Sequence, residues 1–195
     1  MRTILNIVSY SNNPDQHILD SLQLIPDFSI NMFLGPVFTE RHNWNENHIK
    51  KIETICRYKN LNLKDCYDIV KGNPELYKNI AIMDSDNLLN EAAIQEFKSN
   101  IPGDVIIYYP KFINNTLCNK NIYKDIETFL KKENAIVNPY LMNTNTFIKI
   151  YEDLKGEVFK NKNDISYYEE LGFTQYCFNR GIQFVESKHI IKEAR

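Results

Sequence analysis

The feature that most constrains the fold is a short apolar run, Ile80, Ala81, Ile82 and Met83, that stops at two carboxylates, Asp84 and Asp86, with only Ser85 between them. An apolar run of this length between polar neighbours predicts a strand buried on both faces, the condition of a strand inside a parallel sheet packed by helices. Asp84 and Asp86 then stand at its carboxyl end, where open α/β sheets hold ligands. Two hard oxygen donors separated by one residue can approach one divalent cation, directly or through water, and a cation so held can bridge a diphosphate. The competing reading is a polar turn whose carboxylates cap the next helix.

Strands and helices are expected to alternate around that run. Residues 4–10 are rich in strand formers and run into Ser11-Asn12-Asn13-Pro14, which ends a strand. Pro14 suits a first helical turn, and Ile18, Leu19, Leu22 and Ile25 recur at helical spacing up to Pro26. Residues 28–34 read as a second strand closed by Gly35-Pro36, residues 39–47 as a loop, and Ile49, Ile52, Ile55 and Cys56 as the apolar face of a second helix. Residues 61–70 fit either a helix or a short strand plus a helix, before Gly72-Asn73-Pro74. Beyond Asp86, residues 88–97 predict a helix capped by Asn87 or Asn90, with Glu91 complementing its dipole. A strand at 105–112, a turn at Asn114-Asn115, a short helix at 122–130, a strand at 135–140 and a helix at 143–154 follow. Residues 166–179 form the last long helix, stopped by Gly181, and 182–185 a final short strand. The alternation predicts an α/β fold, one domain over residues 1–195, with a mixed, mostly parallel sheet flanked by helices.

Composition excludes several classes. The 195-residue chain is 43% hydrophobic and 25% charged, as in an average soluble domain, and a chain of this size buries roughly 70% of the surface it exposes when unfolded. A formal net charge of -2 argues against a partner bound mainly through phosphate neutralisation, though not against a local basic groove. Cys56, Cys66, Cys118 and Cys177 lack CxxC spacing and read as reduced, mostly core, thiols. No apolar run reaches the length of a membrane span or a signal h-region, so the expectation is a soluble intracellular, cytoplasmic protein without a transmembrane segment. His17, His42 and His48 have no second ligand at useful spacing, and there is no Gly-rich phosphate loop, GxSxG or HExxH.

With two strand-helix units ahead of it and a position in mid-chain, the Asp-Ser-Asp stretch resembles the Asp-x-Asp motif of the GT-A class of nucleotide-sugar glycosyltransferases, which ends a strand and holds a metal on the donor diphosphate. The resemblance covers most of the chain in the order of its elements. It implies a GT-A-like (Rossmann-like) domain that transfers a sugar from a nucleotide-diphosphate donor, a UDP-sugar first among them, with Mn²⁺ or Mg²⁺. By that resemblance Asp84 lies near the ribose or sugar, and Asp86 is the more direct metal ligand. Ser9-Tyr10-Ser11-Asn12 is similar to the family's Pro-Thr-Tyr-Asn stretch that meets the nucleoside, without its proline, which marks Ser9, Tyr10 and Asn12 as donor-binding. Glu169-Glu170, with Phe173 and Gly181 beyond, looks like the family's Glu-Asp pair that opens a helix. Alignment on Gly181 gives Glu170 the place of the catalytic base, with Glu in place of Asp and with Glu169 and Asp164 as further candidates.

Such a carboxylate would take the proton from the attacking acceptor hydroxyl in an inverting transfer, while positive charge stabilises the leaving diphosphate. A retaining course would leave Glu170 to acceptor binding or to structure. His189 is similar to the histidine that several metal-dependent GT-A families place after the sheet to complete the metal site. Asn143-Thr144-Asn145-Thr146 resembles the polar stretch that contacts donor sugar or acceptor, which nominates Asn143 and Asn145 against the plainer reading of a helix N-cap. Arg57 and Asn60 resemble the Arg and Asn that precede the motif strand, across a longer segment than the family's usual one.

Two rival readings stand beside this one. A haloacid-dehalogenase-like phosphatase would use the Asp84 and Asp86 pair as nucleophile and acid, but that motif normally starts its chain. A non-catalytic nucleotide- or sugar-binding module on the same fold would explain the small size. The acceptor is open among a glycan, a lipid-linked glycan, a protein and a modified nucleobase, and a homo-oligomer is compatible with the sequence.

Overall fold

The computed structural model describes residues 1–9, 28–34, 48–113, 116–118, 136, 138–160 and 169–193. The helices expected at 14–25 and 122–130, the Gly35-Pro36 closure, the 39–47 loop and the Asn114-Asn115 turn lie outside them. In chain order the elements are β1 (Arg2–Ser9), β2 (Phe28–Leu34), α1 (His48–Gly72), β3 (Tyr77–Asp84), β4 (Asn87–Leu88), α2 (Glu91–Phe97), β5 (Val105–Tyr108), β6 (Lys111–Ile113), β7 (Thr116–Cys118), β8 (Tyr140–Asn143), α3 (Thr144–Asp153), α4 (Glu169–Asn179), β9 (Gln183–Glu186) and β10 (Ile191–Glu193). This is the α/β architecture expected from the alternation.

The main sheet has six strands in the order β2-β1-β3-β8-β5-β9. The pairs β1–β2, β1–β3 and β5–β9 are parallel, and β8 runs antiparallel to both of its neighbours. β3 is buried on both faces, as its apolar run requires. Ile80 and Ile82 face a core that contains Cys56, Leu63 and Val70 of α1, Phe147 and Ile150 of α3, and Phe173 and Cys177 of α4. Ala81 and Met83 face the opposite core, with Ala93, Ile94 and Phe97 of α2 and with Tyr109 and Ile191. At the carboxyl end of α2, Thr3 Oγ1 donates to the Phe97 carbonyl at 2.6 Å, and Asn79 Nδ2 donates to the same carbonyl at 3.0 Å. Two buried side chains from the sheet thus satisfy the helix's terminal acceptor.

The ambiguity over residues 61–70 resolves as one 25-residue helix, α1. Cys56, Lys59, Leu63, Cys66 and Val70 recur every three or four residues and are all buried, so they form a single stripe against the sheet. No Gly or Pro interrupts it before Gly72, where Asn73 Nδ2 donates to the Ile69 carbonyl at 2.8 Å. The axial position of this helix is fixed by amides, two of them, Asn6 and Asn62, fully buried. Asn6 Nδ2 of β1 donates to Asn62 Oδ1, Asn31 Nδ2 of β2 donates to Asn6 Oδ1 at 2.8 Å and to the Asn62 carbonyl at 3.1 Å, and Asn62 Nδ2 reaches the Ile7 carbonyl at 3.4 Å. Cys56, Cys66 and Cys177 are buried free thiols, and burial pushes those of Cys66 and Cys177 up.

Two expected strands are placed differently. The run 105–112 is split at Tyr109-Pro110, where proline has no N–H for a ladder. Val105–Tyr108 stays in the main sheet, while Lys111–Ile113 joins a four-stranded sheet of order β4-β10-β6-β7. The strand expected at 135–140 instead begins after Pro139 and runs over Tyr140–Asn143. No helix among the described residues is long and apolar enough to cross a membrane.

The two sheets are tied together at α2. Of Asn87 and Asn90, Asn90 is the cap: its side chain accepts from Ala93 N at 2.9 Å while its Nδ2 donates to the Ile190 carbonyl at 2.7 Å. Asn90→Ala removes both bonds and is expected to lower stability by about 1 kcal/mol, read by urea denaturation. An unchanged midpoint would show that the cap contributes nothing.

Candidate active site

β3 delivers Asp84 as its last residue, with Ser85 and Asp86 in the turn that follows. Two bonds fasten that turn. Ser85 N donates to the Val8 carbonyl at 2.9 Å, and Asn87 Nδ2 donates to the Asp84 carbonyl at 2.8 Å. Val8 is also the register partner of Asp84, so Ser9, buried at the end of β1, comes level with the turn. The two carboxylates and Ser9 therefore meet at the carboxyl ends of two adjacent parallel strands.

The Asp84 side chain points into a charged cluster under the sheet. Lys59 Nζ lies 3.5 Å from Asp84 Oδ1 and 4.0 Å from Glu170 Oε1, with Lys59 4% exposed, Glu170 1% and Asp84 24%. Asn138 joins the same two acids. Its Nδ2 donates to Asp84 Oδ2 at 3.2 Å and to Glu170 Oε1 at 2.9 Å, and its backbone N donates to Glu170 Oε1 at 3.0 Å. Phe159 closes the cluster from another side, its ring centroid 5.3 Å from Lys59 Nζ. One ammonium thus serves two carboxyl groups, and Asp84 is the member that opens to solvent. Such an arrangement needs all its partners, because an unpaired buried charge is costly.

The donors at the turn are oxygens, which suit a hard divalent cation such as Mg²⁺ or Mn²⁺. Among the described residues no group of three His, Cys, Asp or Glu side chains is placed to hold a metal. A cation on Asp84 and Asp86 would then take its other ligands from a diphosphate and water, which is the usual habit of Mg²⁺. His189 is not carried towards the turn. β10 runs antiparallel to β4, so Glu193 stands opposite Asn87, while His189 lies four residues earlier, its N donating to Ser187 Oγ at 3.0 Å.

No family model matches the sequence, and no curated protein matches it. The folded chain does have a solved counterpart. It superposes with a TM-score of 0.51 and 11% identity on the crystal structure of a glycosyltransferase involved in the glycosylation of the major capsid of PBCV-1, over 96% of this chain and 82% of that one. The two chains share a fold. At this identity the likeness extends to the arrangement of strands and helices and stops short of chemistry.

That fold links Asp84 to Glu170 through Lys59 and Asn138 and sets Ser9 and Asp86 at the adjoining strand ends, and it separates others. β8 runs away from the site, so Asn143 pairs with Asn79 at the opposite end of β3. There Asn143 Oδ1 accepts from Asn145 N at 2.8 Å, and Asn145 is exposed. The helix N-cap is what these residues build. Arg57 is exposed on α1, and the neighbouring Asn60 holds the backbone of Phe159, donating to its carbonyl at 2.7 Å and accepting from its N at 3.0 Å. Tyr10, Asn12 and Asp164 lie outside the described residues, and Glu169 is the first residue of α4.

Two members of the cluster, Lys59 and Asn138, belong to no motif in the sequence. Lys59 had a legible signal: it occupies the fourth-residue place in an otherwise apolar stripe, where a long cation needs a buried partner. Asn138 had none beyond preceding a proline. Glu170 carries a comparable sign, since Glu170, Phe173, Thr174 and Cys177 are all buried along one face of α4.

Proposed function

We propose that this chain is a metal-dependent glycosyltransferase of GT-A type that moves a sugar from a nucleotide-diphosphate donor, a UDP-sugar first, to an acceptor. The observation that carries the reading is the placement of Asp84 and Asp86 at the tip of β3, beside the end of β1, in a sheet that shares its arrangement with a glycosyltransferase. A divalent cation held by the two carboxylates would bridge the donor diphosphate and offset the charge that develops on it as the glycosidic bond breaks. Lys59 orients Asp84 from below, and Ser9 offers a polar edge towards the nucleoside.

Glu170 has a supporting part in this reading. With Oε1 occupied by two bonds from Asn138 and only 1% of its side chain exposed, it fits a residue that positions Lys59 and Asn138 better than one that meets an acceptor hydroxyl. Glu169 and Asp164 then become the carboxylates to test as the proton acceptor of an inverting transfer.

The test is incubation with a panel of nucleotide sugars and Mn²⁺ or Mg²⁺, with nucleotide release as the readout. Release from one donor, abolished by EDTA and restored by the metal, is the expected result. No release from any donor, together with no metal-dependent nucleotide binding, would sink the proposal. Hydrolysis of a phosphomonoester that disappears in Asp84→Asn would replace it with the phosphatase reading.

A further inference from the structure

Outside the carboxylate cluster, the described residues form a groove of about 640 Å³ between α1 and the turn that follows α3. That size falls within the range of small-molecule sites, roughly 300–1,000 Å³. Its charged lining is Arg57, Lys64, Lys155 and Lys160 against a single acid, Glu157. This is a local reversal in a chain whose net charge is -2.

Two of the cations are already engaged: Lys64 Nζ is 2.6 Å from Asp68 and Lys160 Nζ is 3.6 Å from Glu157. Arg57 and Lys155 make no ion pair among the described residues. Lys155 and Gly156 both adopt left-handed conformations, with φ of 53° and 82°, at the turn that lines the groove. Gly156 N donates to the Tyr151 carbonyl at 2.9 Å, and a Cβ at Gly156 would come within 2.9 Å of Tyr151 Oη, so the turn is packed tightly against the groove wall.

The groove also adjoins the cluster. Phe159 lines it and lies over Lys59, the residue that meets Asp84, while Asn60 clamps the Phe159 backbone from the groove side. A ligand here would be one aromatic ring away from the carboxylates.

We infer that the groove between α1 and the α3 turn is a binding site for an acidic saccharide, one bearing carboxylate or phosphate groups that meet Arg57 and Lys155. Resting on the transferase reading, this saccharide is the acceptor. The exposed Leu61 and the face of the Tyr151 ring turned away from Tyr67, on which its other face is stacked with centroids 4.2 Å apart, supply the apolar surface for sugar rings, and the cations supply the preference for charge.

Calorimetric titration of the full chain, with no donor present, tests the site. The probes are trigalacturonate, mannose 6-phosphate and, as the neutral control, maltotriose. The acidic probes are expected to bind and maltotriose not to. The Arg57→Gln/Lys155→Gln double variant, changed only at exposed positions, should weaken acidic binding about tenfold. Higher salt should weaken it as well, because the pairing is exposed.

Equal binding of acidic and neutral probes, no binding of either, or acidic binding untouched by the double substitution would overturn the inference. The two proposals fail separately. If the probes bind as stated but no donor releases nucleotide, the acidic-saccharide site stands and the transferase reading falls. If nucleotide is released but the probes do not bind, the reverse holds.

Discussion

Asp86→Ala is expected to lower metal-dependent nucleotide release by roughly 10³-fold, the scale on which removal of an electrostatic stabiliser of a developing charge is felt. The size follows from how little the turn has in reserve. Asp84 turns its carboxylate towards Lys59 and Asn138, and no cluster of three His, Cys, Asp or Glu side chains that could hold a metal exists among the described residues. On the proposed function Asp86 is then the carboxylate left to the cation, and the size of the expected loss rests on that role. The fold should tolerate the change, since Asp86 lies in a turn fastened through its neighbours, Ser85 N to the Val8 carbonyl and Asn87 to the Asp84 carbonyl. Initial rates against Mn²⁺ concentration, beside a urea melt of the same variant, separate the two effects. Full activity with unaltered metal dependence would mean that the pair at the strand tip is only a turn.

The largest effect on stability is expected at Lys59. Lys59→Met keeps the length and apolar stem but removes the ammonium between Asp84 and Glu170, which should cost about 3 kcal/mol in urea denaturation. The reason is asymmetry. Glu170, at 1% exposure, loses the ammonium 4.0 Å away and cannot turn to water, while Asp84 at 24% keeps some solvation. Adding Glu170→Gln to Lys59→Met removes the uncompensated charge and leaves an amide oxygen to accept from Asn138. The double variant should regain about half of the loss, a coupling of the kind that neighbouring residues in one network show. A loss below about 0.5 kcal/mol for Lys59→Met would place the lysine among ordinary surface residues. Additivity of the two substitutions would remove the coupling but not the burial.

The sequence was most legible where local chemistry and burial agree. β2 falls over residues 28–34 as the pattern predicts, and β3 ends at Asp84 because an apolar run can be buried on both faces only in the middle of a layered sheet. It was least legible where tertiary pairing decides. Residues 105–112 carry β propensity throughout, yet Pro110 divides them between two sheets, and propensity has no term for which sheet a strand joins. The same holds for β8. Its antiparallel direction puts Asn138, two residues before its start, beside Asp84, and sends Asn143, at its end, to the far edge, so a motif read along the chain lies at the other pole of the sheet. Glu170 was legible as a candidate base, and its burial follows from its spacing to Phe173, Thr174 and Cys177 along one face of α4, whereas its link to Asp84 through Lys59 and Asn138 is a tertiary fact that no local pattern carries.

The amide contacts among Asn6, Asn31 and Asn62 set a tolerance for the site above them. An interface of aliphatic side chains lets a helix slip along its axis by fractions of a turn at modest cost, because dispersion is non-directional. Amides do not, since a displacement of well under 1 Å breaks geometry that must hold near 2.9 Å. Lys59 lies three residues before Asn62 on α1, so whatever gauges Asn62 against β1 and β2 also gauges the ammonium against Asp84. The spacing of charge at the crevice is thus calibrated one helical turn below it, by three side chains that carry no charge. Changes to those asparagines would be felt first as a detuned Asp84, before any loss of fold.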